Sequence, residues 1–392
     1  MIDSIQSQLE PFVATGPNDV PLKAVTQALA WGVLDSEKSQ RTGALGCLDS
    51  ALFDIASVTK LFTATLAMIA NDRGLLRFED DLGRVFEALA GVTLDALLNH
   101  TSGLDAWRQW YLELDVPVQA HQPDLAAMKA NRERILHDIL ESGRKPPGQA
   151  YAYSDLGYIL LGRCLEEVFG QSLDEVVRDE ISEPLGLQDT RYVNLLNGEL
   201  PLQAVQTERC PVRGASTSAA LSSLDEFERV RHLPDESHGV SDPTRGKGVE
   251  GVVHDENAWI QGGVCGHAGL FSNVEDLLAF GAHFLAISNG NSGIVRAETL
   301  AHAWDRKHLH PQGHHVLGWD TPSGERTSVG RGFSRTKTYG HLGFTGTSLW
   351  LDLAHETVAV LLTNRVYPTR NNPGILDLRI AFHEAVLNPE SP

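Results

Sequence analysis

Positive charge is scarce in this 392-residue chain: 32 lysines and arginines stand against 51 aspartates and glutamates, for a formal net charge of -19. Nucleic acid and anionic membranes are bound through basic patches, so both are excluded as expected partners. Cysteine is almost as rare. Cys47, Cys164, Cys210 and Cys265 are scattered without a Cys-x-x-Cys pair, which predicts reduced thiols rather than a disulfide scaffold or a zinc knuckle. No apolar run is long enough to span a bilayer. No Lys or Arg precedes Lys23, so the basic start of a secretory signal is missing as well. Together these absences predict a cytoplasmic protein, or a periplasmic one if a leader has been removed.

What is present suffices for a large core, organised as two lobes or as one domain with a substantial insertion. The first 22 residues read as helix and then loop. Residues 28–34 and 44–48 are short apolar segments separated by a polar turn, which predicts a hairpin feeding directly into residue 57. Helical signals dominate from residue 61 to about 190, including an apolar-periodic stretch from Leu156 to Phe169 that stops at Gly170. Strand-like alternation returns at 347–353 and 357–364, and 375–387 closes the chain as an amphipathic helix. Strands at both ends around a helical middle predict an α/β (α+β) fold. Its antiparallel sheet is built from both termini and flanked by helices, with a mainly helical lobe inserted. Residues 1–62 and 262–392 are assigned to the sheet lobe and 63–261 to the inserted lobe and cleft loops, one catalytic domain in all. The loop-rich stretches 211–214, 234–237 and 242–248 are expected to cover part of the cleft.

Chemistry concentrates first at Ser57-Val58-Thr59-Lys60. Positions three apart share a helix face, so the Lys60 ammonium can reach the Ser57 hydroxyl. A serine becomes a nucleophile when a neighbouring base takes its proton, and a desolvated lysine can be that base. The run that follows, 61–70, is almost wholly apolar and reads as a buried helix, an expensive place for a lysine. Tyr151-Ala152-Tyr153-Ser154-Asp155 follows a Pro-Pro-Gly turn at the head of another apolar helix. Its residues can staple and cap that helix, with Asp155 contributing to the cap. Beside an ammonium, a tyrosine can also serve as general base. Tyr339-Gly340-His341-Leu342-Gly343-Phe344-Thr345 flanks a histidine with glycines, which let a strand edge aim a backbone N–H at a developing oxyanion. The stretches 251–258 and 262–272 hold His, Asp and Glu in glycine-dense surroundings. Without a His-Glu-x-x-His or His-x-x-x-His pattern they predict a loop bordering the site rather than a metal centre. His308, His310, His314 and His315 are expected in a solvated loop.

Taken in this order, these stretches resemble the serine beta-lactamase and penicillin-binding protein superfamily, specifically the class C beta-lactamase-like serine hydrolases. Ser57-Val58-Thr59-Lys60 matches the family's Ser-x-x-Lys. Tyr153-Ser154-Asp155 lies where the family carries Tyr-x-Asn, and His341-Leu342-Gly343 where it carries Lys-Thr-Gly or His-x-Gly. Supporting pieces are Leu97-Leu98-Asn99-His100-Thr101-Ser102-Gly103, Pro147-Gly148 and Glu183-Pro184-Leu185-Gly186-Leu187. Residues 254–257 and 266–269 look like a penicillin-binding-protein-4B-like branch.

The resemblance implies a beta-lactamase/transpeptidase-like fold and a serine hydrolase that cleaves an ester or amide through an acyl-enzyme on Ser57. Lys60 and Tyr153 would share the proton, with Asp155 and His341 beside them. The oxyanion hole would come from the N–H groups of Ser57 and Phe344, and Gly343 and Thr345 would complete the substrate edge. No metal and no organic cofactor is expected, and the partner is a small molecule or a short peptide. Two departures from the family pattern carry consequences. Asp155 in place of asparagine adds a carboxylate that holds Lys60 charged. His341 in place of lysine removes a group that holds a substrate carboxylate, disfavouring beta-lactams and favouring a neutral ester or amide. Sliding the alignment onto Lys337-Thr338 would put Tyr339 where glycine is needed, so it is rejected. Alternative readings are a D-stereospecific peptidase or amidase and a penicillin-binding sensor or scaffold without turnover.

Overall fold

The computed structural model describes residues 4–14, 24–116, 118–119, 122–207, 251–367, 370 and 373–387. The loop-rich stretches between 211 and 248, and Cys210, lie outside these residues. Seven strands form one antiparallel sheet: β1 (Leu29–Leu34), β2 (Gln40–Leu45), β3 (His315–Val316), β4 (Trp319–Asp320), β5 (Thr338–Leu342), β6 (Ser348–Asp352) and β7 (Thr357–Thr363). Their order is β2-β1-β7-β6-β5-β4-β3. Both termini build it, because β1 pairs with β7, Leu29 opposite Thr363 and Leu34 opposite Val358.

The period-2 pattern sorts side chains between two cores. Trp31, Val33, Trp350, Ala359 and Leu361 face one side, where Ile5 and Leu9 of helix α1 (Ser4–Leu9) and Leu378 and Phe382 of the closing helix (Ile375–Leu387) cover them. Ala30, Leu349, Val358, Val360 and Leu362 face the other, against Val274, Leu277 and Phe280 of the helix Val274–Ser288. That helix sits unusually close: a Cβ on Gly281 would meet Val358 Cγ1 at 2.5 Å, and one on Gly32 would meet Val274 Cγ1 at 2.4 Å. Burial on both faces explains why β7 reads as a continuous apolar run rather than as an alternation.

The hairpin forms, but β2 takes in Gln40-Arg41-Thr42, residues that read as the turn. β2 is an edge strand with none of its residues buried, so a polar composition is tolerated there. Helix α2 (Thr59–Asp72) is buried along almost its whole length. It lies between the helix α3 (Asp155–Phe169), with which it shares the larger core, and the Val274–Ser288 helix, where Phe62 stacks on Phe280 at 4.3 Å. α3 ends as expected at Gly170, in the left-handed conformation. A second small sheet of Phe53–Asp54, Leu270–Ser272 and Arg191–Tyr192 carries the chain into residue 57. Cys47, Cys164 and Cys265 are free thiols. Among the described residues, no helix is long and apolar enough to cross a membrane.

Candidate active site

Ser57 lies in the 3-10 turn Ala56–Val58, which runs directly into α2. One turn later Lys60 is fully buried, with three oxygens around its ammonium. Its Nζ lies 2.9 Å from Ser57 Oγ, 3.2 Å from the carbonyl oxygen of His267 and 2.7 Å from Asp155 Oδ1. Burial pulls the Lys60 pKa down, but Asp155 and then Tyr153 outweigh it and the group is pushed up to about 12. The lysine is therefore an ammonium at neutral pH, as the extra carboxylate at position 155 predicted.

Asp155 reaches Lys60 because it is not the cap of α3. Ser154 takes that position, its Oγ accepting the Gly157 N–H at 3.0 Å. This corrects the capping role expected for Asp155, whose carboxylate points to the lysine instead. Tyr153, two residues before Asp155, packs beside both Lys60 and Ser57. The Lys60 Nζ lies 4.9 Å from the Tyr153 ring centre. Burial raises the phenol's pKa, with Lys60 opposing. Lys60, Tyr153 and Ser57 thus cluster at one point of the cleft.

The facing wall is made of imidazoles. His341 on β5 is buried, its ring 6.1 Å from that of Tyr153. Its Nδ1 donates to the Leu342 carbonyl at 2.7 Å, which leaves Nε2 as an acceptor, buried and without a partner. Burial, then the Lys60 charge, bring its pKa down to about 3. A neutral acceptor therefore stands where the superfamily carries an ammonium. Lys337 is exposed, in keeping with the rejected slide.

Two histidines that the sequence reading left aside complete this wall. His100 lies 4.6 Å and His315 5.4 Å from the Tyr153 ring, centre to centre. Burial holds both well below the usual histidine pKa. His315 corrects the expected solvated loop: it sits on β3, paired with Asp320 of β4, and is buried against His100 and Tyr151. His100 accepts the Ser154 N–H on Nδ1 at 3.0 Å, tying the wall to the α3 cap. The only sequence signal for His100 was its place in the Asn-His-Thr-Ser-Gly run.

Among the described residues, one cluster has the composition of a metal site: His314, His315 and Asp320, with ligand atoms within 4.8 Å of one another. Three of its ligand atoms are hydrogen-bonded, while His315 Nε2 is buried without a partner. His314 Nδ1 lies 2.5 Å from Asp320 Oδ1, and His315 Nδ1 lies 2.7 Å from the Tyr151 hydroxyl.

The turn after β5 forms the third side. Phe344 is 41 % exposed at the cleft, whereas Thr345 is buried with its hydroxyl donated to the Asp54 carbonyl at 2.8 Å. Thr345 therefore supports the turn from behind instead of facing substrate. Gly343 is locked from both ends, its N–H on the Thr347 carbonyl at 2.8 Å and its own carbonyl on Arg379 at 2.8 Å. A side chain at 343 would run into Thr347 Oγ1, 2.0 Å from an added Cβ. Arg379, a lone cation on the buried face of the closing helix, also donates to the Thr347 carbonyl at 2.9 Å. The segment 251–269 borders the site as expected. His267 Nε2 pairs with Asp255 at 3.0 Å, which pushes the histidine, against its burial, up to about 10.

A model of the family described as Beta-lactamase matches residues 23–382. The chain belongs to the beta-lactamase family. It is a serine hydrolase of that family, and the match covers the family as a whole without separating the penicillin-binding-protein-4B-like branch. A protein of Escherichia coli K12 named "Putative D-alanyl-D-alanine carboxypeptidase" is 29 % identical over 355 residues, covering 83 % of this chain and 73 % of that one. Solved beta-lactamase-like folds superpose over nearly the whole molecule. The penicillin-binding protein of Bacillus halodurans does so with a TM-score of 0.62 at 17 % identity, covering 93 % of this chain and 95 % of its own. EstCE1, described as a hydrolase with promiscuous acyltransferase activity, gives 0.65 at 16 % identity over 97 % and 98 %.

Proposed function

We propose that Ser57 is acylated by a neutral ester or amide and that water then releases the acid. The observation that carries this reading is the contact of Ser57 Oγ with Lys60 Nζ at 2.9 Å, with the Tyr153 ring centre 4.9 Å from the same Nζ. With Lys60 charged, the reactive form is the one in which the Lys60–Tyr153 pair has lost a single proton, held on the amine rather than the phenol. Tyr153, as phenolate, takes the Ser57 proton as Oγ attacks the carbonyl, and returns it to the leaving group. The N–H groups of Ser57 and Phe344 would receive the oxyanion. Tyr153 then activates the water for deacylation. His341 enters as a neutral acceptor suited to a substrate N–H, and its lack of charge favours substrates without a carboxylate at that point.

A second reading, cleavage of a D-amino-acid peptide, is supported by a different wall. The Arg365 guanidinium lies 4.5 Å from the Phe344 ring centre, a cation that suits a terminal carboxylate, while Arg370, 5.7 Å from the same ring, is paired with Glu256. The Escherichia coli relative's name points the same way.

A panel of p-nitrophenyl esters, D-aminoacyl anilides and nitrocefin, run on the wild type and on Ser57→Ala, tests both. Turnover of neutral esters, lost in Ser57→Ala with the fold retained, is the expected result. Preference for the anilides moves the assignment to the second reading, and turnover that survives Ser57→Ala overturns both.

A further inference from the structure

Asp54 takes no part in the proton transfers above, yet it is the most constrained carboxylate near the nucleophile. It is 2 % exposed, and no cation among the described residues forms an ion pair with it. Its two oxygens are divided between two backbone N–H groups. Oδ1 accepts from Ala56 at 2.8 Å, two residues on, and Oδ2 accepts from His254 at 2.6 Å, 200 residues away. Ala56 needs such a hold. At φ 47° it is one of four described non-glycine residues with a positive φ, a conformation that an L side chain adopts only when its surroundings impose it. It also immediately precedes Ser57.

The same short segment receives the oxyanion turn. The Asp54 and Ile55 carbonyls accept the hydroxyls of Thr345 and Thr347 at 2.8 Å and 2.9 Å. Three walls of the cleft therefore meet on residues 54–56: the nucleophile turn, the 251–257 segment and the turn that presents Phe344. A buried carboxylate is costly unless hydrogen-bonded, and its placement here binds two of those walls through one side chain.

We propose that Asp54 is a positioning residue, whose carboxylate holds the strained Ala56 turn against the 251–257 segment and so sets the attack geometry of Ser57. The inference rests on Ser57 being the nucleophile. An amide at position 54 has the shape of the carboxylate but only one accepting oxygen, so one of the two N–H groups would face an NH2 group. Released on one side, the Ala56 turn relaxes toward an unstrained conformation and carries Ser57 away from Lys60 and Tyr153. Errors of about 1 Å at a reacting atom cost up to about 100-fold in rate.

The test uses the rate at which a fluorophosphonate labels Ser57, followed by intact mass in the wild type, Asp54→Asn and the double variant Asp54→Asn/Ala56→Gly. Asp54→Asn is expected to slow labelling by about 10–100-fold while thermal unfolding stays cooperative. Glycine adopts a positive φ without strain, so the double variant is expected to regain most of the lost rate. A merely structural role for Asp54 would not be repaired at residue 56. Labelling of Asp54→Asn at the wild-type rate, or a loss that Gly at 56 does not restore, overturns the proposal. Amide hydrogen exchange on the unaltered protein covers a variant that does not fold: the Ala56 and His254 amides should both be protected, and fast exchange at either overturns it. If the wild type is not labelled at Ser57, the nucleophile assignment falls, and exchange alone then judges the Asp54 anchor.

Discussion

Two walls of one cleft answer burial in opposite ways. On the nucleophile side, Lys60 is as buried as any core residue and still carries its charge, because Asp155 lies 2.7 Å away and two further oxygens take its other protons. On the histidine side, His100, His315 and His341 face the same cleft; the one carboxylate near them, Asp320, lies within 4.8 Å of His315 but is hydrogen-bonded to His314, and burial leaves all three neutral. Solvent exclusion is common to both walls. What separates them is an acidic side chain ion-paired directly with the buried base, and the result is a charged group facing a neutral wall.

That contrast can be broken at its most reactive point with Tyr153→Phe, which removes the phenol that joins the walls. A loss of about 100- to 10,000-fold in kcat is expected, the usual worth of a positioned general base. A loss below tenfold would hand the proton to Lys60 alone.

Asp155→Asn tests the cause of the contrast. Asp155 raises the Lys60 pKa, and the reactive form has lost a proton from the Lys60–Tyr153 pair, so kcat/KM should climb with pH. Without the carboxylate that proton leaves at lower pH, and the rise should move down by about 1–3 units. An unmoved profile would remove Asp155 from the account. The smallest effect is expected on the neutral wall. Tyr151→Phe deletes only the hydroxyl 2.7 Å from His315 Nδ1, a bond worth about 0.5–1.5 kcal/mol, so kcat should fall by roughly 2- to 10-fold. A pH profile identical to wild type would show that the wall contributes shape and not charge.

Much of the charged wall was legible in the sequence because its spacing is local. Ser57 and Lys60 are three residues apart, a spacing that a helix turn converts into a contact, and Tyr153 and Asp155 sit together at the start of one helix. The sheet was legible from β6 and β7, short apolar segments bounded by turns. The neutral wall was not, because burial alone defines it. His315 lies in a polar-looking tract, and only the pairing of β3 with β4 at the sheet edge puts it inside. Asp54 and Arg379 escaped for a related reason: their partners are backbone groups up to 200 residues away, and backbone groups leave no trace in composition. Asp155 was legible as a charge beside Lys60 but misread as a cap, since Ser and Asp are both good caps and only the turn geometry chooses between Ser154 and Asp155.

The most direct test of the central claim is the time-resolved intact mass of the protein mixed with an activated ester. A transient gain of one acyl group is expected, mapping to Ser57 and decaying as the free acid accumulates. Turnover with no adduct, or an adduct on another residue, would contradict the account, and an adduct on Ser57 that never decays would leave a binding protein in place of a hydrolase.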